Sequence, residues 1–400
     1  MTRTILKFPI YLDNNATTCC DERVLDAMVP FFSVHYGNAA SRTHLFGWQA
    51  EEAVELAREQ IAALIGADSK EIIFTSGATE GDNLAIKGVC ESYASKGNHI
   101  ITVSTEHKAV LDTCKHLEKK GARVTYLPVQ TDGTISPEKL EAAITPDTVL
   151  IVVMYANNET GVVQPVNQIG RIARRHQVLL FTDAAQACGK TPINLANDPI
   201  DILALSAHKI YGPKGVGALY VRRRDPRVRL ASQMDGGGHE RGMRSGTLNV
   251  PGIVGLGKAC EICRQDMQTE SKRLAALRDK LETGLLSVGD SMVNGSREKR
   301  MQHVTNISFA GADAGALMTA CHQTLAVSSG SACTSASIEP SYVLKALGLD
   351  DSLAHSSLRF ALGRFTTEEE IDFAIIEIKR AVEAVRGANA IINRIKSTGV

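Results

Sequence analysis

The sequence predicts an α/β fold with a mostly parallel seven-stranded sheet, because short apolar runs alternate with helical patterns. The seven runs are EIIFT ending at Thr75, HIITVS at Ser104, RVTYLPV at Val129, TVLIVVMY at Tyr155, VLLFTD at Asp183, DILALS at Ser206 and GVGALYV at Val221. Strands that are covered by helices on both faces are typically such continuous apolar runs. Small or polar residues follow most of them, and open α/β sheets bind ligands at the carboxyl ends of their strands.

A smaller α+β domain is predicted after this sheet. A helical stretch from about Pro251 to Leu286 leads to strand-like HVTNISF, a short helix at 314–322, a Ser/Gly loop at 328–337, strand-like SSLRFAL and a charged helix from Thr367. A chain of 400 residues with 44% hydrophobic content is long enough for two cores. We expect a large domain at 15–260 and a small one that combines 1–14 with 261–400.

Composition argues against several partner classes. Lys and Arg together number 44, as do Asp and Glu, so net charge predicts neither nucleic-acid nor membrane binding. The sequence shows no leader pattern and no run of membrane-spanning length, so we expect a cytoplasmic protein. Nine scattered cysteines indicate free thiols, and the CxxC of Cys260 and Cys263 has no second ligand pair nearby, so no metal site is expected.

Lys209 and Asp183 together indicate a pyridoxal phosphate site. Lys209 follows a histidine in the glycine-rich stretch SAHKIYGPKG, and a lysine shielded from water becomes nucleophilic enough to hold an aldehyde as an imine. Asp183 ends an apolar run, where a carboxylate can keep a pyridine ring protonated and electron-withdrawing. Each residue alone also fits an ordinary surface position.

Other polar residues at strand ends fit the same cofactor. Ser76-Gly77-Ala78-Thr79 ends one strand and opens a helix, whose free N–H groups suit a phosphate, although an ordinary N-cap fits as well. Ser206 and His208 flank Lys209 as further donors. His107 can stack on a flat ring and move protons, whereas Asn158 and Gln186 are equally compatible with turns.

Nine motifs in one order resemble the cysteine desulfurases of the NifS/IscS group, which are fold-type I pyridoxal phosphate enzymes. They are YLDNNATT, SGATEGDN, TEHKAV, NNETG, TDAAQ, SAHKIYGPKG, GGGHERGMRSGT, SSGSACTSAS and SSLRFALGRFTTEEEID, and they span most of the chain. The resemblance implies a homodimeric enzyme that converts L-cysteine to L-alanine and passes the sulfur on for iron–sulfur cluster assembly or to other acceptors.

The resemblance also implies individual roles. Lys209 would hold the cofactor, Asp183 would pair with its ring nitrogen, Gln186 would contact its ring hydroxyl and His107 would stack on the ring. The phosphate would be held by Ala78, Thr79, Ser206, His208 and, from the neighbouring subunit, Thr247. Asn158 would contact both cofactor and substrate, and Arg359 would bind the substrate's α-carboxylate with its planar fork.

Cys333 is the residue that would decide the reaction. It lies in the Ser/Gly loop SSGSACTSAS, which is too polar for a core, and by resemblance its thiolate takes the substrate's sulfur as a persulfide. A selenocysteine lyase, an aminotransferase and a non-catalytic sulfur-relay subunit remain alternatives. The terminal VRGANAIINRIKSTGV lacks the Leu-Ser-Pro-aromatic tail of relatives that dock an iron–sulfur scaffold, so that partnership stays open.

Overall fold

The computed structural model describes residues 6–329 and 339–397, with side chains up to residue 391. Its central feature is a seven-stranded sheet. The strands are β2 (Ile72–Thr75), β3 (His99–Val103), β4 (Arg123–Leu127), β5 (Thr148–Val152), β6 (Leu179–Asp183), β7 (Ile202–Ser206) and β8 (Gly217–Val221). Their order is β2-β8-β7-β6-β5-β3-β4, and only β8 runs antiparallel to its neighbours. The predicted mostly parallel seven-stranded sheet is therefore confirmed.

Two layers of helices cover this sheet. The helices of the first 250 residues are α1 (Glu22–Met28), α2 (Pro30–Ser33), α3 (Leu45–Ile65), α4 (Ala78–Ser92), α5 (Lys108–Glu118), α6 (Pro137–Ala143) and α7 (Val166–Arg175). Because side chains alternate along a strand, Ile73 and Leu219 face α4 and α5, whereas Phe74 and Tyr220 face α3 and α7. Both faces of the sheet are thus buried.

Shorter strands and the remaining helices form the rest of the chain. A three-stranded antiparallel sheet contains β9 (Ser291–Val293), β10 (Val304–Phe309) and β12 (Ser357–Ala361). A two-stranded parallel pair joins β1 (Ile10–Tyr11) to β11 (Leu325–Ala326). The helices are α8 (Val250–Leu286), α9 (Ala314–Cys321), α10 (Tyr342–Ala346), α11 (Asp351–His355) and α12 (Glu368–Ser397). Among the described residues, no helix combines the length and apolar content that crossing a membrane requires.

A single long helix contributes to two separate cores. The first part of α8, from Val250 to Cys263, packs with α3 against the central sheet, whereas Leu274, Leu277, Leu281 and Leu285 pack with β10, β12 and α12. Ile10 and Leu12 belong to the second core. The predicted boundary at residues 260/261 falls inside this helix, and the division into two domains stays a prediction.

Candidate active site

The carboxyl edge of the central sheet opens into a cavity of about 540 Å³. Ten residues predicted for the site line it: Ala78, Thr79, His107, Asn158, Asp183, Gln186, Ser206, His208, Lys209 and Arg359. These ten are separated by up to 281 positions in sequence, and most follow the ends of central-sheet strands, whereas Arg359 lies within β12 of the three-stranded sheet. The edge thus gathers polar side chains as parallel α/β sheets commonly do.

Lys209 reaches the cavity from one turn of 3-10 helix, Ala207–Lys209, directly after β7. Its Nζ donates hydrogen bonds to the backbone oxygens of Asn15, at 2.6 Å, and Ala16, at 2.7 Å. Gln186 Nε2 donates to the same Asn15 oxygen at 2.9 Å. The side chains of Lys209 and Gln186 are therefore both positioned by the segment that follows β1.

Asp183 and His107 lie opposite each other at the floor of the cavity. Asp183 ends β6, and its Oδ1 accepts a hydrogen bond from Ala185 N at 2.9 Å. Burial raises the pKa of Asp183, while His107 and Lys209 act in the opposite direction. His107 is the N-cap of α5, where its Nδ1 accepts from Ala109 N at 3.2 Å. That bond holds the ring at the helix end.

The N-terminus of α4 supplies a site for an anion. Gly77 caps the helix without any side-chain bond, which leaves backbone N–H groups of the first turn directed at the cavity. A Cβ on Gly217 would come within 2.7 Å of Gly77 Cα, so the absent side chain lets β8 pack against this loop. Burial, and then Lys209, lower the pKa of His208 to about 4, so its imidazole is neutral at pH 7.

Arg359 forms the opposite wall of the cavity. It lies on β12, and its Nη2 donates to Asp13 Oδ1 at 2.5 Å while Nη1 donates to the Asn158 backbone oxygen at 2.9 Å. Its side chain is only 3% exposed, and its Nε has no hydrogen-bond partner among the described residues. A guanidinium with an unused donor in a cavity wall suits a carboxylate ligand.

The donor set fits pyridoxal 5'-phosphate. An amine, a buried carboxyl group and a free helix N-terminus match its aldehyde, ring nitrogen and phosphate. Gln186 Oε1 is buried without a partner in the described part of the chain and can accept from a hydroxyl. The structure therefore offers a counterpart for each polar group of this cofactor.

One predicted site residue, Thr247, does not line this cavity, and a second, Cys333, is not among the residues that the structure describes. Thr247 is exposed, and its loop lies outside the cavity lining. The loop of Thr247 is tied to the cavity's edge, because Arg244 Nε donates to Glu80 Oε1 at 2.8 Å and Glu80 accepts from Ser76 N.

Several residues of the site were not singled out from the sequence. Asn15 is the most informative, since its backbone oxygen holds Lys209, its Nδ2 donates to Asn158 O and its Oδ1 contacts His303 Nε2. The motif YLDNNATT contains it, but a backbone acceptor leaves no sequence signal. Lys190 joins the same network, since its Nζ lies 3.4 Å from His303 Nε2.

Two acidic side chains and a histidine lie close together beside the cavity. One atom each of Asp82, His107 and Asp183 lie within 4.8 Å of one another. Asp183 and His107 also face the cofactor-sized cavity. The expectation that the protein holds no metal ion stays a prediction.

Comparison with known proteins identifies the family. Residues 10–373 match the family described as Aminotransferase class-V. The chain belongs to this family. Its members are pyridoxal phosphate enzymes, and the protein is therefore one as well.

Named relatives and solved structures are similar over nearly the whole chain. The protein named "Cysteine desulfurase IscS" from Anaeromyxobacter dehalogenans is 56% identical over 98% of this chain and 96% of its own. Its namesake from Actinobacillus succinogenes is 58% identical over 95% and 94%. A structure titled "NIFS-LIKE PROTEIN" superimposes with a TM-score of 0.88 at 38% identity, covering 94% of this chain and all of its own. One titled "SspA in complex with cysteine" has a TM-score of 0.78 at 36% identity, over 89% and 99%.

Proposed function

We propose that this protein is a cysteine desulfurase in which the cavity residues take defined roles. The observation that carries this conclusion is the cavity itself, where an amine, a buried carboxyl group and an arginine with an unused donor face one another. The relatives that are 56–58% identical over nearly the full chain are named for this activity. The reaction converts L-cysteine to L-alanine and places the sulfur on an enzyme thiol.

The cofactor roles follow the positions of the donors. Lys209 Nζ would hold the aldehyde, Asp183 would pair with the ring nitrogen, and His107 would lie against the ring. Gln186 Oε1 would accept the hydrogen of the ring hydroxyl. The phosphate would be bound by Ala78, Thr79, Ser206, His208 and, from a second copy of the chain, Thr247.

Arg359 and Asn158 would bind the amino acid substrate. Arg359 already donates to the Asn158 backbone oxygen, so its guanidinium has a defined plane. Asp13 accepts from Nη2, and Nε, which has no hydrogen-bond partner among the described residues, would donate to an incoming α-carboxylate. The fork thus selects an α-amino acid by its carboxylate.

The chemistry divides between the cofactor and the chain. When bound, pyridoxal 5'-phosphate withdraws electrons from the bonds at the substrate's α-carbon. Lys209 Nζ takes the α-proton, because the two backbone oxygens that hold it place the amine at the cavity floor. His107 would carry out a further proton transfer during the reaction. The Cys333 thiolate forms an S–S bond with the substrate's sulfur as the Cβ–S bond breaks, and Cβ takes a proton to give alanine.

The other cysteines support this assignment by contrast. None of the eight described cysteines lines the cavity. Burial raises the pKa of each of them, for example to about 11 for Cys90 and about 12 for Cys188. A buried thiol is a poor nucleophile because the thiolate is the reactive form.

The active unit would be a homodimer. Consecutive segments at 29–48 expose large apolar side chains, namely Val29, Phe32, Val34, Tyr36, Leu45, Phe46 and Trp48, each at least 45% accessible. Phe46 packs on Tyr36 with ring centroids 5.2 Å apart. Such exposure in a single protomer is typical of a surface that a partner covers, and a second copy would also supply Thr247. Sedimentation velocity of the wild type and of Trp48→Glu tests this, with a dimer expected only for the wild type.

Three further expectations concern the domains, the cellular compartment and the sulfur acceptor. We propose a large domain at 15–260 and a small one at 1–14 and 261–400, supported by the two cores that meet along α8. The eight cysteines among the described residues are free thiols, which supports a reducing, cytoplasmic setting. The persulfide would be handed to an iron–sulfur scaffold or another sulfur-acceptor protein.

One experiment tests the function. The purified protein is incubated with L-cysteine, alanine and sulfide are measured with and without reductant, and added sulfur is located by peptide mass. We expect one alanine for each cysteine consumed, sulfide release only when reductant is present, and a persulfide on Cys333. Cys333→Ala should lose the activity, and the matched control Cys19→Ala, which removes an exposed thiol, should keep it. Undiminished alanine formation by Cys333→Ala contradicts the proposal, whereas an aminotransferase would keep its activity in this variant and turn cysteine into its 2-oxo acid.

A further inference from the structure

Three carboxyl groups are buried together below the cavity, and the proposed function uses only one of them. Asp183 is 6% exposed, Asp82 on α4 is 1% exposed and Glu106, just before α5, is fully buried. An atom of Asp82 and one of Asp183 lie within 4.8 Å of each other. Three ionised carboxylates in one buried space would repel one another strongly.

The two unused carboxyl groups lack ordinary partners. Both oxygens of Asp82 are buried without a hydrogen bond in the part of the chain that the structure describes. Glu106 Oε1 accepts from Met154 N at 2.7 Å, but its Oε2 has no described partner. An ionised carboxylate left in this state would be heavily destabilised, whereas a protonated one is tolerated.

The charged and titratable groups around the cluster also favour protonated side chains at Asp82 and Glu106. Burial, then Asp183 and Glu106, raise the pKa of Asp82 well above its ordinary value. Burial and Asp183 do the same for Glu106, and its backbone bond acts in the opposite direction. His107 and Lys209, which also lie near the cluster, lower the pKa of Asp183. Cys114 on α5 faces Glu106, and burial and Glu106 keep it a neutral thiol.

We propose that Asp82 and Glu106 are positioning residues, two protonated carboxyl groups around Asp183 that restrict the cluster to one negative charge on the carboxyl facing the cavity. The inference rests on the proposed function, in which Asp183 meets the cofactor's ring nitrogen. A neutral carboxyl group near Asp183 stabilises its charge through its dipole, without a hydrogen bond to it, and adds no second anion that would compete for the ring nitrogen. The ring nitrogen then has a single anionic partner.

Infrared spectroscopy tests the protonation states directly, because protonated carboxylic acids absorb apart from carboxylates and amides. At pH 8 the wild type should show carboxylic acid bands, of which Asp82→Asn and Glu106→Gln each remove one. Any carboxylic acid band from another buried carboxyl group, such as Glu159 or Asp201, is the same in both variants and in the wild type. Wild-type bands that neither variant changes would overturn the proposal.

Cofactor binding tests the positioning role. Pyridoxal 5'-phosphate is titrated into cofactor-free protein, and the dissociation constant and the pH titration of the bound chromophore are recorded. Asp82→Leu, which removes the polar group, should weaken binding about tenfold and shift the chromophore's titration, whereas Asp82→Asn restores both. Wild-type behaviour of Asp82→Leu would overturn the proposal. If Asp82→Leu does not fold, the infrared result decides, and a wild type that binds no cofactor would instead refute the proposed function.

Discussion

Lys190 provides a test of how burial shapes the electrostatics near Lys209. Burial, followed by the charge of Lys209, lowers the pKa of Lys190 from 10.5 to about 7. Because the folded pKa is below the unfolded one, the unfolded chain binds more protons between these values, and stability rises with pH across that window. The destabilisation that comes from burying a charged Lys190 is complete below pH 7 and absent above pH 10.5. Since one pKa unit corresponds to about 1.4 kcal/mol, it amounts to about 5 kcal/mol at most.

The perturbation is Lys190→Met, which keeps an unbranched side chain of nearly the same length and removes the amine. In denaturant unfolding of the cofactor-free protein, the variant should be more stable than the wild type by up to about 5 kcal/mol at pH 6, with the difference vanishing near pH 10.5. Lys119→Met, at an exposed lysine, is the matched control and should show no such trend. A stability difference that is the same at pH 6 and pH 10 would refute the reasoning.

Three further variants test other contacts. Glu240→Gln should destabilise the fold by about 3 kcal/mol in urea unfolding, because Arg58 then loses its buried ionic partner, whereas Glu55→Gln, at the exposed partner of the same arginine, should have little effect. Arg359→Lys should raise KM for L-cysteine about tenfold in steady-state assays by removing the planar fork, and an unchanged KM would exclude carboxylate binding there. Gly217→Ala should weaken pyridoxal 5'-phosphate binding in absorbance titrations, because its Cβ would lie 2.5 Å from Leu205 O, and Gly387→Ala, with open space around it, is the control.

The strands were predictable because their apolar runs are continuous. The ends of these runs also mark the edge of the sheet at which the cavity opens. The run TVLIVVMY extends to Tyr155, although β5 ends at Val152. The backbone nevertheless stays bonded to the neighbouring strand, since Val153 N donates to Phe181 O and Tyr155 N donates to Asp183 O. The sequence pattern therefore reported the extended backbone rather than the regular ladder.

Contacts between distant segments were not predictable in the same way. Asn15 acts through its backbone oxygen, which every residue type possesses, so nothing in its identity points to Lys209. The pairing of Asp13 with Arg359 joins positions 346 residues apart, and neither has a periodic neighbourhood that reveals the other. Asp82 follows an ordinary helical pattern, and only the fold shows that it is buried beside Asp183.

The strand β1 and the residues after it have a consequence for synthesis of the chain. Ile10 pairs with Leu325, and Asn14 Nδ2 donates to Ala361 O across 347 positions. At about 5–20 residues per second, a ribosome needs roughly 17 to 70 s to make that interval. The segment that places the Lys209 amine therefore waits for β12 to emerge, and Lys209 acquires its final position only after that strand has been made.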